Sequence, residues 1–175
     1  MYDLAPFRID LKGLKEGQTA IELKLDNAYF EAVDALDVRS GALDVQMAIT
    51  RKESFFELLF HIEGQVVVSC DLCLDDMLQP VVCDERLAVK FGEEYSEEDD
   101  LVTVNEVEGI LDVSWFIYEF IVLAIPIRHV HAPGKCNPAM MKVLDEHSAT
   151  RSGEEDGRDS VDPRWSALKN LNVKD

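Results

Sequence analysis

The sequence predicts an α+β domain: an antiparallel, curled or barrel-like β-sheet packed by one apolar helix, with a tethered helix at the C-terminus. Three observations carry this expectation. Several stretches alternate apolar and polar residues with the period of two that a half-buried strand requires. One segment, 114–125, is apolar on nearly every side and long enough for a buried helix. Beyond it the chain turns polar, then amphipathic again near its end. At 175 residues and 47% hydrophobic content, the chain can bury a full core without staples, and wholesale disorder is excluded.

The elements follow in order. Phe7, Ile9 and Leu11 alternate with Arg8, Asp10 and Lys12 until Gly13 interrupts. Ile21, Leu23 and Leu25 form a second alternating set. Residues Asn27 to Leu36 read as a short helix or an irregular crossing. Leu43, Val45, Met47 and Ile49 form a third set. The apolar stretch from Phe55 to Cys70 reads as one long strand, or as two broken at Glu63-Gly64. A further strand follows Pro80, with Leu87, Val89 and Phe91 on one face. Residues 93–100 carry six acids in eight positions, and such a like-charge block predicts a solvated loop without a calcium-binding pattern.

The helix 114–125 has Asp112 or Ser114 to cap it and Pro126 to stop it. Trp115, Phe116, Ile117, Phe120, Ile121, Leu123 and Ile125 leave it almost no polar face, so it must be buried. Residues 148–162 are rich in Ser, Gly, Asp and Glu and read as an acidic linker. In the last stretch, 163–175, Asp162-Pro163 opens a short amphipathic helix marked by Trp165, Leu168 and Leu171. That helix docks on its own domain or on a partner, and Trp165 and Leu168 are its contact candidates. The domain itself spans 1–147.

Charge narrows the function classes. The chain has 35 acidic and 17 basic residues, a net charge of −18, which repels phosphate at long range. Nucleic-acid binding therefore needs a local basic patch. The stretch between Glu119 and Asp145 has no acidic residue and holds Arg128, His129, His131, Lys135 and Lys142. Either this is chance, or Arg128, Lys135 and Lys142 form a small contact site for phosphate or an acidic partner. No apolar run is long enough to span a membrane. The N-terminal residues show no basic and apolar leader, so a cytoplasmic protein is the expectation.

Four residues could hold a metal. Cys70 and Cys73, two residues apart, can wrap one ion from a tight turn, which supplies half a tetrahedral site. His131 and Cys136 flank a loop that Pro133 and Gly134 make turn, so their ends can converge too. Three thiols and one imidazole form a closed structural zinc set, and closing the long intervening loop costs only slowly growing entropy. Two other readings stay open. The four can be unrelated, with cysteines buried as small hydrophobes and a hydrogen-bonded histidine. Alternatively, Cys70 and Cys73 form a thiol redox pair. Against redox, Asp71, Asp75 and Asp76 surround the pair and disfavour a thiolate, and no β/α alternation supports a thioredoxin-like unit.

Cys83 falls on a strand and reads as core, with a reserve role as ligand. His61 reads as a satisfied core residue and His147 as exposed. No nucleophile-elbow, zinc-protease or phosphate-loop motif occurs, so no residue is assigned a catalytic role and no enzymatic activity is expected.

Taken in order, these motifs resemble the YceD family of large ribosomal RNA subunit accumulation proteins. The pieces that carry the resemblance are Gly64-Gln-Val-Val-Val-Ser-Cys70-Asp-Leu-Cys73-Leu74, then a strand and an acidic loop. Ile110-Leu-Asp-Val-Ser114 and the apolar helix through Glu119 come next. Leu123-Ala-Ile-Pro126-Ile-Arg-His-Val-His131 leads on to Cys136, and Asp162-Pro163-Arg-Trp-Ser-Ala-Leu-Lys-Asn-Leu171 closes the chain. The resemblance covers roughly residues 40 to 171. It implies a bacterial cytoplasmic protein needed for synthesis, processing or accumulation of 23S rRNA, with no known enzymatic activity. The family's cysteine turn falls on Cys70 and Cys73, and its His-and-Cys element on His131 and Cys136. The expectation is then a non-enzymatic accessory factor in large-subunit biogenesis. Its acidity favours a ribosomal protein or an rRNA-processing factor as partner, with rRNA touching at most the local basic segment, and no DNA or membrane. The alternatives are a zinc-stabilised RNA- or protein-binding module and a Cys-x-x-Cys redox enzyme.

Overall fold

The computed structural model describes residues 4–15, 17–35, 37–98 and 101–148. The linker and C-terminal helix expected beyond residue 148, with Trp165 and Leu168, lie outside the described residues. After a single 3-10 turn, Ala5–Phe7, the strands are β1 (Arg8–Asp10), β2 (Gln18–Leu25), β3 (Gly41–Arg51), β4 (Phe56–Ser69), β5 (Asp76–Gly92), β6 (Ser96–Glu98), β7 (Leu101–Asn105) and β8 (Ile110–Asp112). The helices are α1 (Asn27–Ala32), α2 (Ser114–Ala124) and α3 (Pro138–His147).

Six strands form one sheet in the order β2-β3-β4-β5-β7-β6, and β1 pairs with β8 in a separate two-stranded ribbon. The α+β class stands, but two details of the expected sheet do not. The sheet is open rather than a barrel: β2 and β6 are edges and do not meet. It is also mixed rather than antiparallel. The chain leaves β5, takes the outer edge as β6 and returns as β7 in the slot between them, so β7 runs parallel to β5. This return also corrects the acidic stretch 93–100. Ser96–Glu98 is a short, charged edge strand, a form that discourages unwanted pairing with other chains.

Burial follows the alternation in the sequence. Leu43, Val45, Met47 and Ile49 of β3 and Phe56, Leu58, Phe60, Ile62, Val66 and Val68 of β4 point to one face. That face is covered by Phe7, Ile9 and Leu11, by Tyr29 and Phe30 of α1, and by Phe116, Ile117, Tyr118 and Ile121 of α2. Two tyrosine hydroxyls tie the cover together. The Tyr29 hydroxyl donates to the Ser114 carbonyl at 2.7 Å, and the Tyr118 hydroxyl accepts from the Asp37 N–H at 3.0 Å. Asp112 Oδ1 accepts from both the N–H and the hydroxyl of Ser114, although the residue in the capping position is Val113. The helix is less enclosed than its sequence suggests. Leu123 is 79% exposed, because only one side of α2 meets the sheet.

β4 runs unbroken through Gly64, where the sequence left two strands open. Gly64 has φ of +153°, and a Cβ there would overlap the Ala42 carbonyl oxygen and Leu43 Cα of β3. β5 begins at Asp76, before Pro80 rather than after it. Proline is tolerated because β7 pairs with β5 only from Ala88 to Gly92, leaving Asp76 to Leu87 with β4 as sole strand partner among the described residues. His61 is not core. It lies on the outer face, half-exposed, with Nδ1 2.7 Å from Asp84 Oδ1, and this hydrogen bond raises its pKa above the ordinary value. α3 is an element that the sequence reading passed over, although Asn137-Pro138 is a start signal: Asn137 Oδ1 accepts from the Ala139 N–H at 3.0 Å. None of its residues is buried. No helix among the described residues is long and apolar enough to cross a membrane.

The backbone contact at Gly64 yields a stability test. Gly64→Ala forces a Cβ against two backbone atoms of β3 in a region of φ that only glycine adopts freely. The expected loss is about 2–4 kcal/mol, read from the urea unfolding midpoint.

Candidate metal centre

β4 and β5 are joined by the turn 70–75, and its hydrogen bonds set the direction of both cysteines. The Cys70 N–H donates to the Asp75 carbonyl at 2.9 Å, and the Leu74 N–H donates to the Cys70 carbonyl at 2.9 Å. Leu74 takes a left-handed conformation, φ 62°, to close this turn. Cys70 and Cys73 both end up buried.

The second pair of candidate ligands arrives from the chain leaving α2. Pro126 prevents the helix from continuing, and the segment passes along the turn. The Asp71 N–H donates to the His129 carbonyl at 3.0 Å, and the His129 N–H donates to Asp71 Oδ2 at 2.7 Å. The other carboxylate oxygen of Asp71 lies 3.6 Å from His129 Nε2. Asp75 makes a second clasp, accepting from Asn137 Nδ2 at 3.1 Å. Between the clasps the chain reverses at Gly134 (φ 77°), closed by the Lys135 N–H to the Ala132 carbonyl at 2.9 Å.

This arrangement brings Cys70, Cys73, His131 and Cys136 together, with their ligating atoms all within 4.8 Å of one another. Cys70 Sγ and Cys136 Sγ are 3.8 Å apart, and Cys73 Sγ and His131 Nδ1 are 3.3 Å apart. Tetrahedral zinc, with bonds of about 2.3 Å to sulfur and 2.0–2.1 Å to nitrogen, sets its ligands about 3.8 Å (S···S) and about 3.5 Å (S···N) apart. These two spacings and the donor set fit that ion.

The electrostatics overturn one expectation. The neighbouring acids do not hold Cys70 protonated. Burial is the largest influence and pushes its thiol pKa up, but the backbone N–H groups of Cys73, His131 and Leu72 converge on the sulfur and bring it down to about 6. Cys136 goes the other way, to about 11, because of burial first and then of the Cys70 and Cys73 sulfurs beside it. One sulfur is thus ready to coordinate, and an entering cation would ionise the rest. A thioredoxin-like use of the pair has no support in this geometry. The turn joins two antiparallel strands rather than opening a helix, and both sulfurs are shielded from a substrate disulfide.

The remaining candidates are spread out. Cys83 is half-buried on the inner face of β5, its thiol 3.9 Å from the Phe120 carbonyl and pushed up to about 11 by burial. It is not part of the cluster. Arg128 and Lys135 are exposed on the clasped segment, whereas Lys142 sits on α3, 3.8 Å from Glu146. Sequence reasoning missed the clasp residues Asp71, Asp75, His129 and Asn137. Their positions within or beside the two ligand pairs were the only signal.

A family model described as Large ribosomal RNA subunit accumulation protein YceD matches residues 58–172. The matched stretch contains the cysteine turn, α2 and all four clustered residues. No curated protein and no solved structure gives a significant match to the chain.

In chelator-treated protein the thiols should impose a pH dependence with a defined sign. Cys70, depressed in the folded state, adds stability that is present above the ordinary thiol pKa of 9.0 and lost as pH falls through about 6. Cys136, raised in the folded state, adds stability that is present below 9.0 and lost as pH rises through about 11. Urea midpoints should therefore climb from pH 6 to 9 and fall beyond it. Cys70→Ser should remove the climb, and thiolate absorbance should lose its lowest-pKa step.

Proposed function

The chain belongs to the YceD family, and from that premise we propose that it is a non-enzymatic accessory factor in accumulation of large-subunit ribosomal RNA, built around a structural zinc. The single observation that carries the zinc is the meeting of four ligating atoms from two distant segments within 4.8 Å. Three thiolates and one imidazole fill a tetrahedron and leave no open position for a substrate, so the ion is structural rather than catalytic. Cys70 and Cys73 hold it from the hairpin turn, and His131 and Cys136 from the segment after α2.

The consequence for function is presentation. Residues 126–137 have no regular secondary structure and no place in the sheet. Fixed by the clasps and the ion, they hold Ile127, fully exposed, beside Arg128, with Lys135 at the far end. An ordered surface of this kind lowers the entropy lost when a partner docks. The net charge of −18 favours a basic protein, such as a ribosomal protein or an rRNA-processing factor, over naked RNA. Arg128, Lys135 and Lys142 are too few to reverse that balance and serve to orient a partner.

Elemental analysis of purified protein should find one zinc per chain, lost in Cys136→Ser and kept in Cys83→Ser. Chelation should lower the melting temperature by about 5–10 °C. In cells, Cys70→Ser and Cys136→Ser should lower the ratio of large- to small-subunit rRNA, and Cys83→Ser should not. An unchanged ratio in a deletion strain would refute the role in rRNA accumulation. Metal-free protein that reduces insulin disulfides would favour the redox reading instead.

A further inference from the structure

The outer face of the β4–β5 hairpin carries a stripe that the fold does not use. Val67 pairs with Leu78, Gln65 with Pro80 and Glu63 with Val82, all on the side of the sheet away from the core. Leu78 is 62% exposed and Val82 66%, and Leu74 in the adjoining turn is 66% exposed. Leu78 and Val67 also border a groove of about 620 Å³ that runs past Gln65 and Ala42 to the start of α1. Pleating places successive outward residues of one strand about 6.5–7 Å apart, the repeat of alternate side chains in an extended peptide.

Composition decides what such a face could receive. From residue 63 to residue 85 there is no lysine, no arginine and no aromatic residue, while Glu63, Asp76 and Asp84 point outward along the stripe, with His61 2.7 Å from Asp84 and 3.9 Å from Glu63 at one end. Nucleic acid is disfavoured twice over: carboxylates repel phosphate, and the one ring that borders the stripe, His61, is engaged by Asp84. A second copy of the chain would bring carboxylates against carboxylates. A cationic chain with aliphatic side chains at alternate positions satisfies both features. Its aliphatics cover Leu78 and Val82, and its lysines or arginines meet the flanking acids.

We propose that the outer face of the β4–β5 hairpin, centred on Leu78, Pro80 and Val82, docks an extended, lysine- or arginine-rich protein segment bearing aliphatic residues. This gives a chemical description of the partner in the accessory-factor reading, and it rests on that reading only for its biological setting.

The test uses the full-length protein and three fluorescein-labelled probes. They are a short peptide of alternating lysine and leucine, an all-lysine peptide of equal length, and single-stranded oligoadenylate. The alternating peptide should bind, the all-lysine peptide about tenfold more weakly, and the oligoadenylate not at all. Leu78→Ser with Val82→Ser should weaken the alternating peptide about tenfold, and Val107→Ser, exposed on a distant turn, should leave it unchanged. The proposal is overturned if the double variant binds equally well, or if the all-lysine peptide matches the alternating one. It is also overturned if oligoadenylate binds in a way that Leu78 and Val82 control. A dimer that dissociates in the double variant, or competition by a peptide of residues 163–175 stronger than the probe itself, would assign the face to this chain instead. Peptide binding with unaltered rRNA ratios in the double variant would leave the docking face standing and count against the accessory-factor role.

Discussion

The Asp71–His129 clasp is the contact on which the candidate site depends. It links a hairpin tip to a segment far along the chain through two backbone N–H donors and one carboxylate. Together with the Asp75–Asn137 hydrogen bond, it holds the two candidate ligand pairs, which belong to separate segments, side by side. The contact is small on the scale of the core. A charge-assisted hydrogen bond contributes about 1.5–3 kcal/mol, far below the burial of the sheet's inner face. Its effect is geometric. It brings His131 alongside Cys70, where the His131 N–H reaches the Cys70 sulfur at 3.5 Å.

This division of labour explains how one chain can be both rigid and locally unstructured. The sheet and α2 supply the stability, with Tyr29 and Tyr118 pinning the cover to them. The irregular stretch after α2 adds almost nothing to the core: Ile127 is fully exposed and α3 buries no residue. Such a stretch stays ordered only through specific bonds at its ends and, in the proposed holo-protein, through the ion. Structural zinc returns enough free energy to hold a segment of this length, which a few surface hydrogen bonds do not.

Legibility in the sequence followed periodicity. β3 and β4 could be read because Leu43, Val45, Met47 and Ile49, and then Phe56, Leu58, Phe60, Ile62, Val66 and Val68, face one side and are buried there. The open edge of the sheet was hidden because it depends on the return of β7 beside β5, a long-range choice that no local pattern encodes. β6 was hidden because its Glu97 and Glu98 sit on an edge, where charge is favourable, whereas in the sequence they read as a loop. His61 was misplaced for a related reason: it lies in an apolar run, but its odd-numbered position in β4 turns it outward to Asp84. The four clustered residues could be picked out by type and spacing. Asp71 could not be given its role, because a carboxylate between two cysteines reads as an obstacle to ionisation until its bonds to His129 are seen.

That reversal bears on how the cluster should be classified. A low thiol pKa is commonly taken as a mark of redox or nucleophilic use, and Cys70 has one. Its cause, however, is the convergence of backbone N–H groups from Leu72, Cys73 and His131 on a buried sulfur. A catalytic thiolate has to be reached by its substrate, whereas a ligand thiolate has to be enclosed. Cys70 is enclosed, with its neighbours positioned at metal-ligand spacing rather than facing an opening. The same amide donors that would activate an accessible cysteine here act on an enclosed sulfur, as a metal ligand would require, and enclosure is the property that separates the two uses.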